Sequence, residues 1–443
     1  MMNIACIVLD RLHWGYLGCY GNTWTATPAM DRLAAEGFVF AQALAESTDL
    51  QNTYDSWWYG TSLWQRRLDA AAPRHAALVE RARASGRRTV LVTDEPLVAE
   101  HPAGAAFDEA VELEPAADDI PPAADAAATH AARIFAEAIE RTSADATNEA
   151  KPFFLWLHAR ALGGPWDAPR EYRERYVDED DPPPPDFTAV PHERLPDDVD
   201  LDQRFGISQA YAGQVTHIDE CLGGFLEHLE EAGLAANTAV VLLSPRGMAL
   251  GEHGAVGPFD EHVYAELVQT ACMLRLPGGR GRLRRSQALV QSSDWYHTLA
   301  ELLEPVESHD MASNDTTPTD AKPRSVLPLV DEPTAVWRDR ALVSGAPTAD
   351  GGPTEIGIRT PAWYLRTFEE SSGQMESDDA DELETPAEQL FAKPDDAWEA
   401  NDVADRCRDI VAGLHAAIEE FRTAAAAGNA PPPLADELLH GIS

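Results

Sequence analysis

The chain has 443 residues, of which 44% are hydrophobic and 25% charged, and its formal net charge is −41. That apolar share suffices for a large buried core, and so strong a negative charge excludes nucleic acid and anionic membrane surfaces as partners, since both repel a polyanion at long range. A weakly charged or cationic partner remains compatible, and acidic loops and helix faces keep such a chain in solution.

Asn3 to Leu9 (NIACIVL) reads as a buried strand that starts immediately after Met2, leaving no basic segment or cleavage site for a signal peptide. No later apolar run approaches the ~20 residues of a membrane span, so a cytoplasmic location is expected by default. Pro28 to Glu36 predicts a helix with Thr27 as its N-cap, and His75 to Ser85 a helix closed by Gly86. Arg88 to Thr93 and Pro152 to His158 predict further short strands, and Ala239 to Ser244 a strand following a long helix, Phe205 to Ala232. Strands apolar on both faces and separated by helices imply an α/β protein: a doubly wound, mainly parallel sheet with helices on both faces.

Asp178 to Asp186 (DEDDPPPPD) opens an exposed acidic, proline-rich excursion extending to residue 200 that should not pair regularly. Glu307 to Lys322 is a polar spacer, and from Thr423 onward an alanine run followed by Pro431 to Pro433 suggests a loosely docked tail over 423–443. Cys6, Cys19, Cys221, Cys272 and Cys407 form no CxxC pair and read as buried free thiols.

Open α/β sheets place ligands at the carboxyl ends of their strands. There the sequence offers Asp10 and Arg11, Asp94 and Glu95, His158, and SPRGMALGEHG from Ser244 to Gly254, which contributes Arg246, Glu252 and His253. A metal-dependent ester hydrolase wants clustered carboxylates and a nucleophile at such a place, and these residues make no evident cage. His158 at the end of a buried strand reads as a hydrogen-bonded core histidine, and His253 between glycines as a loop-fixing one.

The motifs carry a resemblance. NIACIVLDRLHWGYLGCYGNTWTATPAMDRLAAEG, KPFFLWLHARALGGPWDAP, the SPRGMALGEHG stretch, SSDWYHTLAELL and EQLFAKPDDAWEANDVAD together resemble the sulfatase family of the alkaline phosphatase superfamily along nearly the whole chain. The resemblance implies a sulfatase-like α/β domain over 1–335 and a smaller C-terminal α+β subdomain over 336–422. It also implies which residues stand at the family's functional positions. Asp10 keeps the first metal-binding acid, while Arg11 stands at the second; Leu50 falls on the nucleophile, with Asn52, Thr53 and Tyr54 at the rest of the CxPSR-type motif. Gly163 falls on the family histidine, Pro245 and Arg246 on the metal-binding Asp and the residue after it, and Pro258, loosely, on a lysine. Leucine has no atom that attacks sulfur or phosphorus.

The expectation is therefore a sulfatase-like pseudoenzyme with a dismantled site and no catalytic residue, binding or regulatory in role. Asp10, Arg11, Arg246 and His253 would line a vestigial pocket, with Asp10 at most a metal ligand and no cofactor required. Its partner would be another sulfatase-fold subunit or a small anion. The alternative is a sulfuric or phosphoric ester hydrolase with an altered calcium or magnesium site. Tyr54, Trp57, Trp58, Tyr59 and Trp64 are expected to fill space rather than to stack on a sugar.

Overall fold

In the computed structural model, residues 1–68, 75–118, 120–143, 151–196, 198–304, 323–348, 352, 354–369, 388–427 and 429–441 are described. The spacer at 307–322 lies outside them.

Among the described residues eight strands form the main sheet, and in spatial order they are Arg284–Gln291, Phe38–Leu44, Cys272–Arg275, Thr238–Leu243, Asn3–Leu9, Phe153–Ala159, Arg88–Thr93 and Glu109–Glu112. Cys272–Arg275 runs antiparallel to both its neighbours, and the other pairings are parallel. The central strand shows why its sequence is apolar throughout. Ile4, Cys6 and Val8 enter one core layer with helices Leu50–Tyr59, Leu78–Ala84 and Asp294–Leu303, while Ala5, Ile7 and Leu9 enter another with Pro28–Glu36, His130–Thr142 and Leu201–Glu231. Alternate side chains of one strand thus bury against opposite helical layers, the signature of a doubly wound sheet.

A separate antiparallel sheet, Ala341–Ser344, Glu355–Arg359, Trp363–Phe368 and Gln389–Ala392, packs with helix Arg408–Ala426 as the smaller C-terminal α+β unit. Its core includes Leu434 and Leu438, and Trp363 Nε1 donates to the Glu437 carbonyl at 2.9 Å while Thr360 Oγ1 donates to that of Leu438 at 2.7 Å. The end of the chain is thus fastened to this sheet rather than loosely docked, because two leucines and two side-chain donors tie down a segment whose composition alone looks unstructured.

Other expectations shift in detail. The helix expected from His75 begins at Leu78, where Glu80 accepts from the Ala77 N–H. Thr27 is the N-cap of its helix by position, but its hydroxyl accepts from Gly18, and the Asp219 carboxylate takes the Ala29 and Met30 N–H groups, both at 2.8 Å. The excursion is partly tied down: Glu193–Arg194 pairs with Ala255–Gly257, and Thr188 is buried with its carbonyl accepting from Trp166. All five cysteines are free, Cys6 and Cys272 buried and the rest half-buried. Among the described residues no helix is long and apolar enough to cross a membrane.

Candidate functional site

Asp10 leaves the central strand at its carboxyl end, and Arg11 follows with φ +64°, a left-handed conformation uncommon outside glycine. The turn is over-determined. Asp10 N–H donates to Ala159, Leu162 N–H to Asp10, and the Arg11 carbonyl accepts from Tyr211, whose hydroxyl also accepts from His13 N–H. Arg246 arrives from the neighbouring strand end, after Ser244 has closed a turn by donating to the Arg246 carbonyl at 2.7 Å. Gly247 follows because nothing larger fits: a Cβ there would lie 1.9 Å from the Glu266 carbonyl oxygen.

These residues converge on a closed set of charges. Arg246 donates to both Asp10 oxygens, Nε to Oδ1 at 3.2 Å and Nη2 to Oδ2 at 3.1 Å, while its Nη1 reaches Asp260 Oδ2 and the Thr48 carbonyl, each at 2.9 Å. Arg11 grips Asp260 in a fork, Nη1 to Oδ1 and Nη2 to Oδ2, both at 2.6 Å. Paired planar contacts of this kind are the strongest that arginine makes. Asp260 is itself anchored, its carbonyl accepting from Thr48 Oγ1 and from Ala346 N–H. The side chains of Asp10 and Arg11 are each 4% exposed and that of Arg246 14%; Asp260, at 25%, is the most exposed of the four.

Burial alone would raise the Asp10 carboxyl, but the guanidinium charges of Arg246 and Arg11 outweigh it and hold Asp10 below the usual carboxylate range. Arg246 responds in the opposite sense: burial would lower it, and Asp10 and Asp260 together raise it.

The other expected stations surround this cluster. Gly163 lies against it, since a Cβ there would sit 3.1 Å from Arg11 Cγ and 3.6 Å from Asp10 Oδ2. Leu50 is buried as the first residue of its helix, two positions after the Thr48 carbonyl that Arg246 grips, and Asp49 caps that helix by accepting from Asn52 N–H. Asp94 accepts from Arg160 N–H and pairs with His130 at 2.9 Å, while Glu95 caps a short helix through Leu97 N–H. Glu252 accepts from Leu250 N–H and lies 3.4 Å from His13 Nε2.

His158 is fully buried, with Nδ1 2.6 Å from the Tyr54 hydroxyl, which itself accepts from Trp156 Nε1 at 3.1 Å. The bond to Tyr54 forms with the neutral imidazole, which has a single ring N–H. Burial pushes its pKa down to about 4, against the attraction of Asp10 and Asp94. Because the folded value lies below the ordinary ~6.5, the linked stability is fully present above that value and declines as pH falls towards about 4. Asp10 adds to the loss further into acid, where its depressed carboxyl takes up a proton. A ring-carbon NMR titration should find His158 neutral at pH 5.5.

The structure differs from expectation at two places. His253 does not join Asp10: its Nδ1 meets Glu266 Oε1 at 2.7 Å, its Nε2 meets the Glu399 carbonyl at 3.2 Å, and its ring stacks on Tyr264 at 3.7 Å. Asp260 belongs to the cluster and went unrecognised in sequence, where it is one acid among several in an irregular stretch.

The aromatic run behind Leu50 fills the interior. Tyr54, Trp57 and Trp58 are at most 2% exposed and pack around Trp156, Tyr54 and Trp58 edge-on and Trp57 tilted, while Trp64 lies in the C-terminal core.

Solved structures of other proteins share this architecture. Phosphonate monoester hydrolases from Agrobacterium radiobacter and Silicibacter pomeroyi superpose with TM-scores of 0.70 and 0.68, each at 16% identity, the first covering 95% of this chain and 94% of its own, the second 96% and 95%. The likeness to both is one of fold. The family model described as Sulfatase matches residues 2–305, and the chain belongs to the sulfatase family. Curated relatives include the multifunctional alkaline phosphatase superfamily protein PehA of Trinickia caryophylli, 26% identical over 42% of this chain, and iduronate 2-sulfatase of Mus musculus, 30% identical over 29% of it. Those matches span 38% and 27% of the relatives' own lengths.

Proposed function

We propose that this sulfatase-family chain is non-catalytic, a binding or regulatory protein whose ancestral pocket is closed by its own charges. The observation that carries the reading is the Asp10–Arg246–Asp260–Arg11 set, in which each carboxylate is matched by guanidinium donors. Leu50, at the position where the family resemblance puts the nucleophile, offers only saturated hydrocarbon and is buried. Partners that suit such a protein are an active relative of the same fold or a small anion.

A hard divalent cation draws about six to eight oxygen ligands, carboxylates foremost. The residues at these strand ends do not fit that need: Asp10 and Asp260 are committed to arginines, and the guanidinium forks of Arg11 and Arg246 point to where a cation would need to approach. Titrating the purified chain with calcium and with magnesium by calorimetry should give no stoichiometric heat. Saturable one-to-one binding, abolished by Asp10→Ala, would favour instead a hydrolase with an altered metal site.

A further inference from the structure

A second site lies apart from the charge cluster and shares no lining residue with it. A cleft of about 180 Å³ is walled by Trp14, Tyr20, Gln42 and Arg285 from the parallel-sheet unit and by Arg359 and Lys393 from the C-terminal unit. Its volume is below the ~300 Å³ at which cavities for drug-sized ligands begin, which sets the scale of its occupant.

What marks the cleft is a surplus of donors. Arg359 is 5% exposed, yet its guanidinium meets only neutral acceptors: the Thr360 and Trp363 carbonyls, and Gln42 Oε1 at 3.5 Å. Arg285, on the exposed rim, donates to the Cys19 carbonyl at 3.0 Å. Among the described residues neither arginine has a carboxylate within ion-pair distance, in a chain with 75 acidic and 34 basic residues. Lys393, by contrast, is matched by Glu399 Oε1 at 3.0 Å. The Trp14 indole N–H is buried and has no hydrogen-bond partner. A buried cation attracted by Glu399 only from beyond ion-pair distance and a buried donor without an acceptor are both costly, and one acceptor-rich anion answers both.

We infer that this cleft binds a small hydroxylated organic anion of sugar-acid size, its oxyanion group meeting Arg359 and Arg285 and its hydroxyls meeting the indole N–H and the wall amides. The side chain of Trp14 also stacks on Trp398 with ring centres 5.0 Å apart, so occupancy has a built-in optical reporter.

The test is titration of the full chain with glucuronate and, in parallel, with glucose, followed by tryptophan fluorescence and calorimetry. Glucuronate should bind saturably and glucose should not, and Arg285→Gln should weaken glucuronate about tenfold, the scale of one charge-assisted hydrogen bond. Trp14→Phe, which keeps an aromatic ring but deletes the N–H, should weaken it as well. Arg359→Gln strips carbonyl contacts at its strand end and can unfold the protein, so the rim variant Arg285→Gln carries the decision. Absence of glucuronate binding by the folded chain, equal binding of glucose, or an affinity unchanged in Arg285→Gln would overturn the inference. Because no residue is shared, any of these results leaves the reading of the Asp10 cluster standing.

Discussion

Replacing Arg246 by alanine is expected to cost about 3–5 kcal/mol in urea denaturation, the scale for breaking one side of a buried ion pair. The size follows from what is left behind. Asp10 is 3% exposed, and without Arg246 it retains the Arg11 backbone N–H at 3.0 Å and the more distant Arg11 charge, while Asp260 and the Thr48 carbonyl each lose a donor. A carboxylate in that position takes up a proton more readily. The pH profile should therefore change as well as the midpoint: the stability that Asp10 contributes in the parent, present above the ordinary carboxylate value and lost as pH falls through its depressed value, should be diminished in the variant, so that the gap between variant and parent narrows in acid. Arg246→Lys should recover only part of the loss, because a single ammonium cannot span both Asp10 oxygens and reach Asp260. A stability change within about 0.5 kcal/mol, the range of ordinary surface substitutions, would mean that the cluster is not a structural unit.

The second large effect is expected at Trp58, where alanine should cost about 3–5 kcal/mol, as for other large-to-small changes in a packed core. Trp58 meets Tyr54, His101 and Trp156 edge-on, with ring centres 4.7, 4.9 and 5.6 Å apart, and is 2% exposed. The loss should appear in the unfolding midpoint and not in affinity for any sugar. A Trp58→Ala chain of parental stability that had lost binding to a glycan would reverse the assignment of this ring from packing to recognition.

Most of the fold was legible because local patterns and long-range packing agree. NIACIVL is apolar on both faces, and only a strand covered by helices on both sides satisfies that pattern. The chain's end was misread for the opposite reason: Leu434 and Leu438 are sparse among alanines, prolines and acids, and their burial depends on a sheet formed far earlier in sequence. In the site, Asp10 and Arg246 were recognisable as a pair because each follows a neighbouring parallel strand, so the register of the sheet brings them together. Asp260 was not, because it lies in an irregular loop among other acids, and nothing local distinguishes the carboxylate that faces Arg11 from those that face water. His253 illustrates the same limit in reverse: a motif fixes its place along the chain, but its partners Glu266 and Glu399 are chosen by tertiary packing.

Turnover is the most direct test of a site closed by its own charges. The purified chain, assayed with sulfate monoesters, phosphate diesters and phosphonate monoesters of a chromogenic phenol in the presence of added calcium or magnesium, should release no phenol above the buffer rate. Release that saturates with substrate and disappears in Asp10→Ala would contradict the account.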